Sequence, residues 1–186
     1  MKLIKASDLK QYFRIYRLYH SSFPIREKKP FFSMVKRNRN GKMDMWYLEE
    51  SGSYIGLAIT MKWKDMVLLD YFAIRKDLRA KGYGGKALAL LQNYYKGKRF
   101  LLEIENVYGN AHNQIDRERR KKFYLKNNMK SMKMFVHLFG TDMEILGYNC
   151  NITYEEYLSI YANIFNFKKA SLIKQIHIGV DENEFV

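Results

Sequence analysis

Residues 79–88 read RAKGYGGKAL: three glycines, with Arg79, Lys81 and Lys86 as the only charges. The stretch follows the apolar run MVLLDYFAI at 66–74 and opens a segment in which Leu88, Leu90, Leu91 and Tyr94 recur at helical spacing. A helix start carries free backbone N–H groups and a partial positive charge. Glycines let a phosphate come close to such a backbone. Arg79 and Lys81 add full charges, so a pyrophosphate fits at Gly82, Gly84 and Gly85. Neither the Walker loop G-x-x-x-x-G-K-[ST] nor the dinucleotide fingerprint G-x-G-x-x-G occurs. Downstream, FLLEIE at 100–105 alternates Glu103 and Glu105 with Leu102 and Ile104 in a strand that should be buried. A buried carboxylate is costly unless paired or put to use. Glu103, the deeper of the two, is the first candidate for a proton acceptor; Glu105, Asp70 and bulk water are the others. The competing reading pairs these acids with Arg or Lys of the basic stretch at 114–127.

Other chemistries find little support. His20, His112, His137 and His177 are scattered without metal-ligand spacing, so no metal is expected. The single cysteine, Cys150, excludes an internal disulfide framework and has no nearby His to make it a nucleophile. No run reaches the roughly 20 apolar residues of a membrane span, and MKLIKASDLK lacks the apolar core of a signal peptide. A cytoplasmic protein without a membrane partner is expected. The net charge of +14 is uneven: residues 75–99 and 117–133 each hold eight Lys/Arg against one acid, while 141–186 hold three Lys against seven acids. Such a surplus suits nucleic acid, an anionic cofactor, an acidic membrane surface or simple solubility, and composition alone does not choose. The run Arg117–Lys122 reads first as a solvated helix face, which leaves nucleic acid the weaker partner.

The elements that must position these residues follow from periodicity. A helix is predicted over 7–20, with Ser7 or Asp8 as N-cap, and a short one over 31–38 after Pro24 and Pro30. Residues 44–50 and 54–61 read as a hairpin about Ser51-Gly52-Ser53. Residues 66–74 and 100–105, joined by the glycine turn and a helix at 84–95, form a βαβ unit with parallel strands. Two strands are predicted at 133–137 and 142–146, and a helix at 153–165 opened by the capping-box pair Thr153 and Glu156. The last residues, DENEFV, read as frayed.

The glycine turn also fits [QR]-x-x-G-x-[GA], as Arg79-Ala80-Lys81-Gly82-Tyr83-Gly84, between a buried strand and a helix. Phe123-Tyr124 and Lys126-Asn127-Asn128-Met129 resemble a second block, an aromatic-Tyr pair before a Lys-x-Gly-Phe-like turn. Asn128 stands where Gly is usual, a substitution that left-handed backbone tolerates. With both blocks in order, the chain resembles the GCN5-related N-acetyltransferase (GNAT) superfamily, most strongly over 66–128 and more broadly over 1–147. The resemblance implies a mixed α/β fold. Its central sheet is mostly antiparallel, the fourth and fifth strands are a parallel pair splayed at the cofactor cleft, and helices cover both faces. Arg117 stands where many members have an Asn near the pantetheine, and that contact is not carried over.

The resemblance further implies an acetyl-CoA-dependent N-acetyltransferase. Backbone groups of Phe72, Ala73 and Ile74 would pair with the pantetheine arm, and amides of Arg79, Ala80, Lys81, Gly82, Tyr83, Gly84 and Gly85 would hold the pyrophosphate. Tyr124 matches the donor to the leaving thiolate, with one more core tyrosine as its plain alternative. The acceptor is a small-molecule or peptide amine. Residues 1–147 form the acetyltransferase domain, and 148–186 a helical extension packed on it or on a second subunit of a homodimer. The rivals are a basic nucleic-acid-binding module and a family member that binds CoA without catalysis.

Overall fold

A computed structural model of the chain describes residues 1–108 and 111–178. The terminal segment 181–186, read above as frayed, lies outside them. The chain divides into two compact units, Met1–Leu101 and Leu102–Val186.

The first unit begins with β1 (Lys2–Lys5) and α1 (Leu9–Ser22). Asp8 caps α1 through the Gln11 amide, and the Gln11 side chain returns to the cap backbone. Pro24 and Pro30 bracket a single 3-10 turn at Ile25–Glu27, after which α2 (Phe31–Arg39) follows. The hairpin β2 (Met43–Glu50) and β3 (Ser53–Trp63) turns at Ser51-Gly52, both at positive φ. Then come β4 (Met66–Ile74), the glycine turn, and α3 (Tyr83–Tyr94). The ladder β1-β2-β3-β4 is antiparallel throughout. Ile15, Tyr19, Met43, Met45, Leu48, Leu57 and Ile59 are fully buried and form its core. β4 is followed in the strand order by β5 (Arg99–Glu105), and this pair is parallel, as a strand–helix–strand crossover requires.

β5 carries the chain into the second unit, where β7 (Thr141–Tyr148), β6 (Lys130–Leu138) and β8 (Lys174–Ile176) complete the order β5-β7-β6-β8. Helices α4 (Gln114–Lys126), α5 (Tyr154–Ile164) and α6 (Phe167–Ala170) belong to this unit. Thr153 and Glu156 form the expected capping box at α5. Asn128 ends α4 at φ 65°, the left-handed backbone foreseen for it. The Met129 amide then returns to the Tyr124 carbonyl at 3.1 Å. Thus the mixed α/β fold with a parallel β4/β5 pair stands as expected. The strands β1 and β8 are additions to the sequence reading.

Gly56 of β3 faces Ile74 of β4, and a Cβ there would lie 2.5 Å from the Ala73 carbonyl oxygen. That oxygen is backbone and cannot rotate away. Gly56→Ala should therefore force β3 and β4 apart and destabilise the fold by about 1–3 kcal/mol, the cost of overpacking. Chemical denaturation measures it; an unchanged midpoint would show that the strands yield freely.

Candidate active site

The glycine turn begins where β4 loses its partner. Ile74 pairs with Gly56, and the Arg75 amide makes one more bond, 2.9 Å to the Ile55 carbonyl. A 3-10 turn at Lys76–Leu78 and an ion pair of Arg75 with Asp77 (2.6 Å) then redirect the chain. Ala80 at φ 60° and Gly82 at φ 79° take left-handed backbone, and Gly82 becomes the N-cap of α3. No side chain caps this helix, and its first turn holds no acid. The first intrahelical bond runs from the Lys86 amide to the Gly82 carbonyl at 3.2 Å. The amides of Tyr83, Gly84 and Gly85 are therefore left unpaired by the helix, at the end where its dipole is positive. Lys81 is exposed beside them. Arg79 turns its Nε back to the Ile74 carbonyl at 3.2 Å, tying the loop to the strand end. Donors, charge and missing cap fit a pyrophosphate bound end-on. Phe72 is half-buried, and Ala73 and Ile74 are buried, on the segment of β4 that leads into this turn.

Just before that segment, β4 bulges. Ile59 pairs with Tyr71 and Thr60 with Leu69, which leaves Asp70 as the extra residue. Its side chain is 3% exposed and forms an ion pair with Lys29. Asp70 Oδ2 has no hydrogen-bond partner among the described residues. Tyrosines hold the backbone on either side of Lys28: the Lys29 amide donates to Tyr19 Oη at 2.7 Å, and Tyr71 Oη donates to the Glu27 carbonyl at 2.6 Å. The proline-flanked segment is thus pinned to the bulge through Lys29, a contact with no local signature in the chain. Glu27 itself is partly exposed, 3.7 Å from Arg26.

In the second unit, β5 presents its two carboxylates to different helices. Glu105 pairs with α4: Arg117 at 3.0 Å and Arg120 at 2.8 Å, with Asn113 at 3.5 Å. This is the alternative reading named for it above. Burial works against its charge, yet the two guanidiniums hold its carboxyl below the usual value. Arg117, where the resemblance lacked its usual Asn, also donates to the Asn106 carbonyl at 2.9 Å and so clamps the end of β5. Glu103 instead accepts from Tyr157 and Tyr161 of α5. Tyr124 is 8% exposed, and burial pushes its phenol up to about 12, with Arg120 opposing. The proton stays on at neutral pH, as a donor requires. No hydrogen bond occupies the hydroxyl among the described residues.

The basic run of α4 is largely consumed. Arg117 and Arg120 serve Glu105, Arg119 pairs with Asp116 at 2.8 Å, and Lys121 reaches the buried Glu144 at 2.8 Å. Little of it remains for a polyanion, which weakens the nucleic-acid reading. Among the described residues no helix is long and apolar enough to cross a membrane, and no group of three His, Cys, Asp or Glu is placed to hold a metal.

Because its folded pKa is depressed, Glu105 adds stability above its ordinary value of 4.5 and loses that contribution as pH falls through the lower folded value. Glu105→Gln should therefore lower Tm at pH 7, with the gap to the parent closing toward pH 3. A gap that stays constant over this range would mean that the charge contributes nothing.

Comparison with known proteins agrees with this fold. The family model described as acetyltransferase (GNAT) family matches residues 12–126. The Bacillus subtilis (strain 168) protein YjbC, which bears an acetyltransferase name, is 31% identical over 108 residues, covering 58% of this chain and 52% of the relative. The match thus spans about half the length of that relative. A GNAT-family structure from Bacteroides thetaiotaomicron superposes with a TM-score of 0.73 at 17% identity, covering 91% of this chain and 99% of that one. An aminoglycoside 6′-N-acetyltransferase complexed with coenzyme A superposes with a TM-score of 0.64 at 11% identity, covering 79% and 96%. With well over half of its residues inside the family model and the glycine-led helix start in place, the chain belongs to the acetyltransferase (GNAT) family.

Proposed function

We propose that this chain is an acetyl-CoA-dependent N-acetyltransferase that moves the acetyl group to a primary amine by direct attack in a ternary complex. The observation that carries this reading is the uncapped, acid-free N-terminus of α3 in a member of an acetyltransferase family. Amides of the Arg79–Gly85 turn hold the pyrophosphate, with Lys81 adding charge. Backbone groups of Phe72, Ala73 and Ile74 pair with the pantetheine arm as an added strand would. The amine nitrogen bonds to the acetyl carbon and the carbon–sulfur bond breaks. The amine proton passes to Glu103, or to water, and the departing sulfur takes its hydrogen bond and proton from Tyr124. A phenol held near 12 is a weaker acid than an ordinary thiol near 8.5, so Tyr124 acts first by hydrogen-bonding the thiolate. The acceptor is a small-molecule or peptide amine. The neighbours in fold include an aminoglycoside 6′-N-acetyltransferase, spermidine N-acetyltransferase chimeras and a ribosomal-protein-S18-alanine N-acetyltransferase, which sets the panel to try.

Acetyl-CoA and CoA at 100 times Kd should stabilise the protein by about 2.7 kcal/mol, a rise in Tm of roughly 5–10 °C for a chain of this size. Gly82→Val, which sets a β-branched residue at φ 79°, should abolish most of that rise. No thermal shift at millimolar ligand would refute cofactor binding. Binding without thiol release against the amine panel would favour the inactive CoA-binding reading. Where turnover is found, Tyr124→Phe should lower kcat about tenfold or more while leaving the acetyl-CoA thermal shift intact; unchanged kcat would remove Tyr124 from the reaction.

A further inference from the structure

Glu103 Oε1 accepts two hydrogen bonds, 2.6 Å from Tyr157 Oη and 2.7 Å from Tyr161 Oη. The two tyrosines stand one turn apart on α5, so their side chains leave the same face. Both are fully buried. Their rings touch at a centroid distance of 5.5 Å, and Phe139 and Phe165 flank Tyr161 at 6.4 Å and 6.0 Å. The helix that carries them is fixed at its start by the Thr153–Glu156 capping box and by the Tyr154 hydroxyl, which donates to the Ile173 carbonyl at 2.7 Å. The phenols therefore reach Glu103 from a preset geometry. Phenylalanine would fill the same apolar space, so packing alone accounts for the rings and not for two buried hydroxyls on one oxygen. Hydrogen bonds of this length to a carboxylate are charge-assisted and favour its ionised form.

We infer that Tyr157 and Tyr161 are positioning residues. They lock the rotamer of the Glu103 carboxyl, so that it can take the amine proton. This makes α5, which lies beyond the stretch matched by the family model, a working part of the catalytic machinery. The usefulness of Glu103 then rests on its fixed position. The inference rests on the proposed acetyl transfer and on Glu103 as its proton acceptor.

A double-mutant cycle on kcat tests it, using acetyl-CoA and whichever amine of the panel releases most thiol. Tyr157→Phe with Tyr161→Phe should lower kcat about tenfold or more, the order of loss that follows small misplacement of a reacting group, with KM for acetyl-CoA unchanged. In a Glu103→Gln background the same two changes should cause no further loss, because the group they position is gone. A rigidifying role alone would lower kcat by the same factor in both backgrounds, and that outcome overturns the inference. So does undiminished kcat in the double phenylalanine variant. Full activity of Glu103→Gln overturns it as well, but with thiol release preserved the acetyltransferase reading survives. A panel with no thiol release removes that reading, and the inference with it.

Discussion

The uncapped start of α3 is the constraint on which the rest of the first unit depends. A strand buried on both faces must hand its chain to a helix within nine residues, the span from Ile74 to Tyr83. A Ser, Thr or Asp at the cap would accept from one of the first amides, and an Asp would also offset the positive end of the helix dipole. Gly82 does neither. It supplies only the left-handed turn, and the amides stay available. The surroundings keep the turn in place: Arg79 ties it to the Ile74 carbonyl, and Gly56 lets β3 run close against Ala73 and Ile74. A helix end left in this condition is a modest loss of stability, which the proposed pyrophosphate contact would offset.

The second unit is organised by the opposite need, which is to supply donors to carboxylates on a buried strand. Glu105 takes Arg117 and Arg120 from α4, and Glu103 takes two phenols from α5. Each helix is thereby fastened to β5 by polar contacts of fixed geometry. Ionic and neutral donors have different effects. The guanidiniums offset the charge of Glu105, whereas Tyr157 and Tyr161 offer Glu103 neutral hydroxyl donors.

What could be read beforehand was what local sequence encodes. The glycine turn, the Thr153–Glu156 box and the left-handed Asn128 all depend on residues within a few positions of one another, and all appear as expected. The parallel β4/β5 pair was legible because one helix separates two apolar runs. The partners of the carboxylates were not. Tyr157 and Tyr161 lie 54 and 58 residues beyond Glu103. In the helical pattern they count as an apolar stripe, which conceals their hydroxyls. β1 and β8 were missed for another reason. KLIK and KQI are short, lysine-bearing strands at the two edges of the order, too brief for alternation to show.

The bulge at Asp70 has an implication for how this chain can vary. Asp70 and Lys29 form a largely buried pair drawn from segments 41 residues apart. Removing the lysine alone would leave the Asp70 carboxylate buried without this counter-ion, a loss of about 3–5 kcal/mol, whereas replacing both by apolar groups of matched volume can be neutral. Drift at these two positions is therefore coupled: the loop after α1 can change its lysine only in step with the strand. The segment between Pro24 and Pro30 inherits that bond, and its freedom to diversify is set by an aspartate in β4.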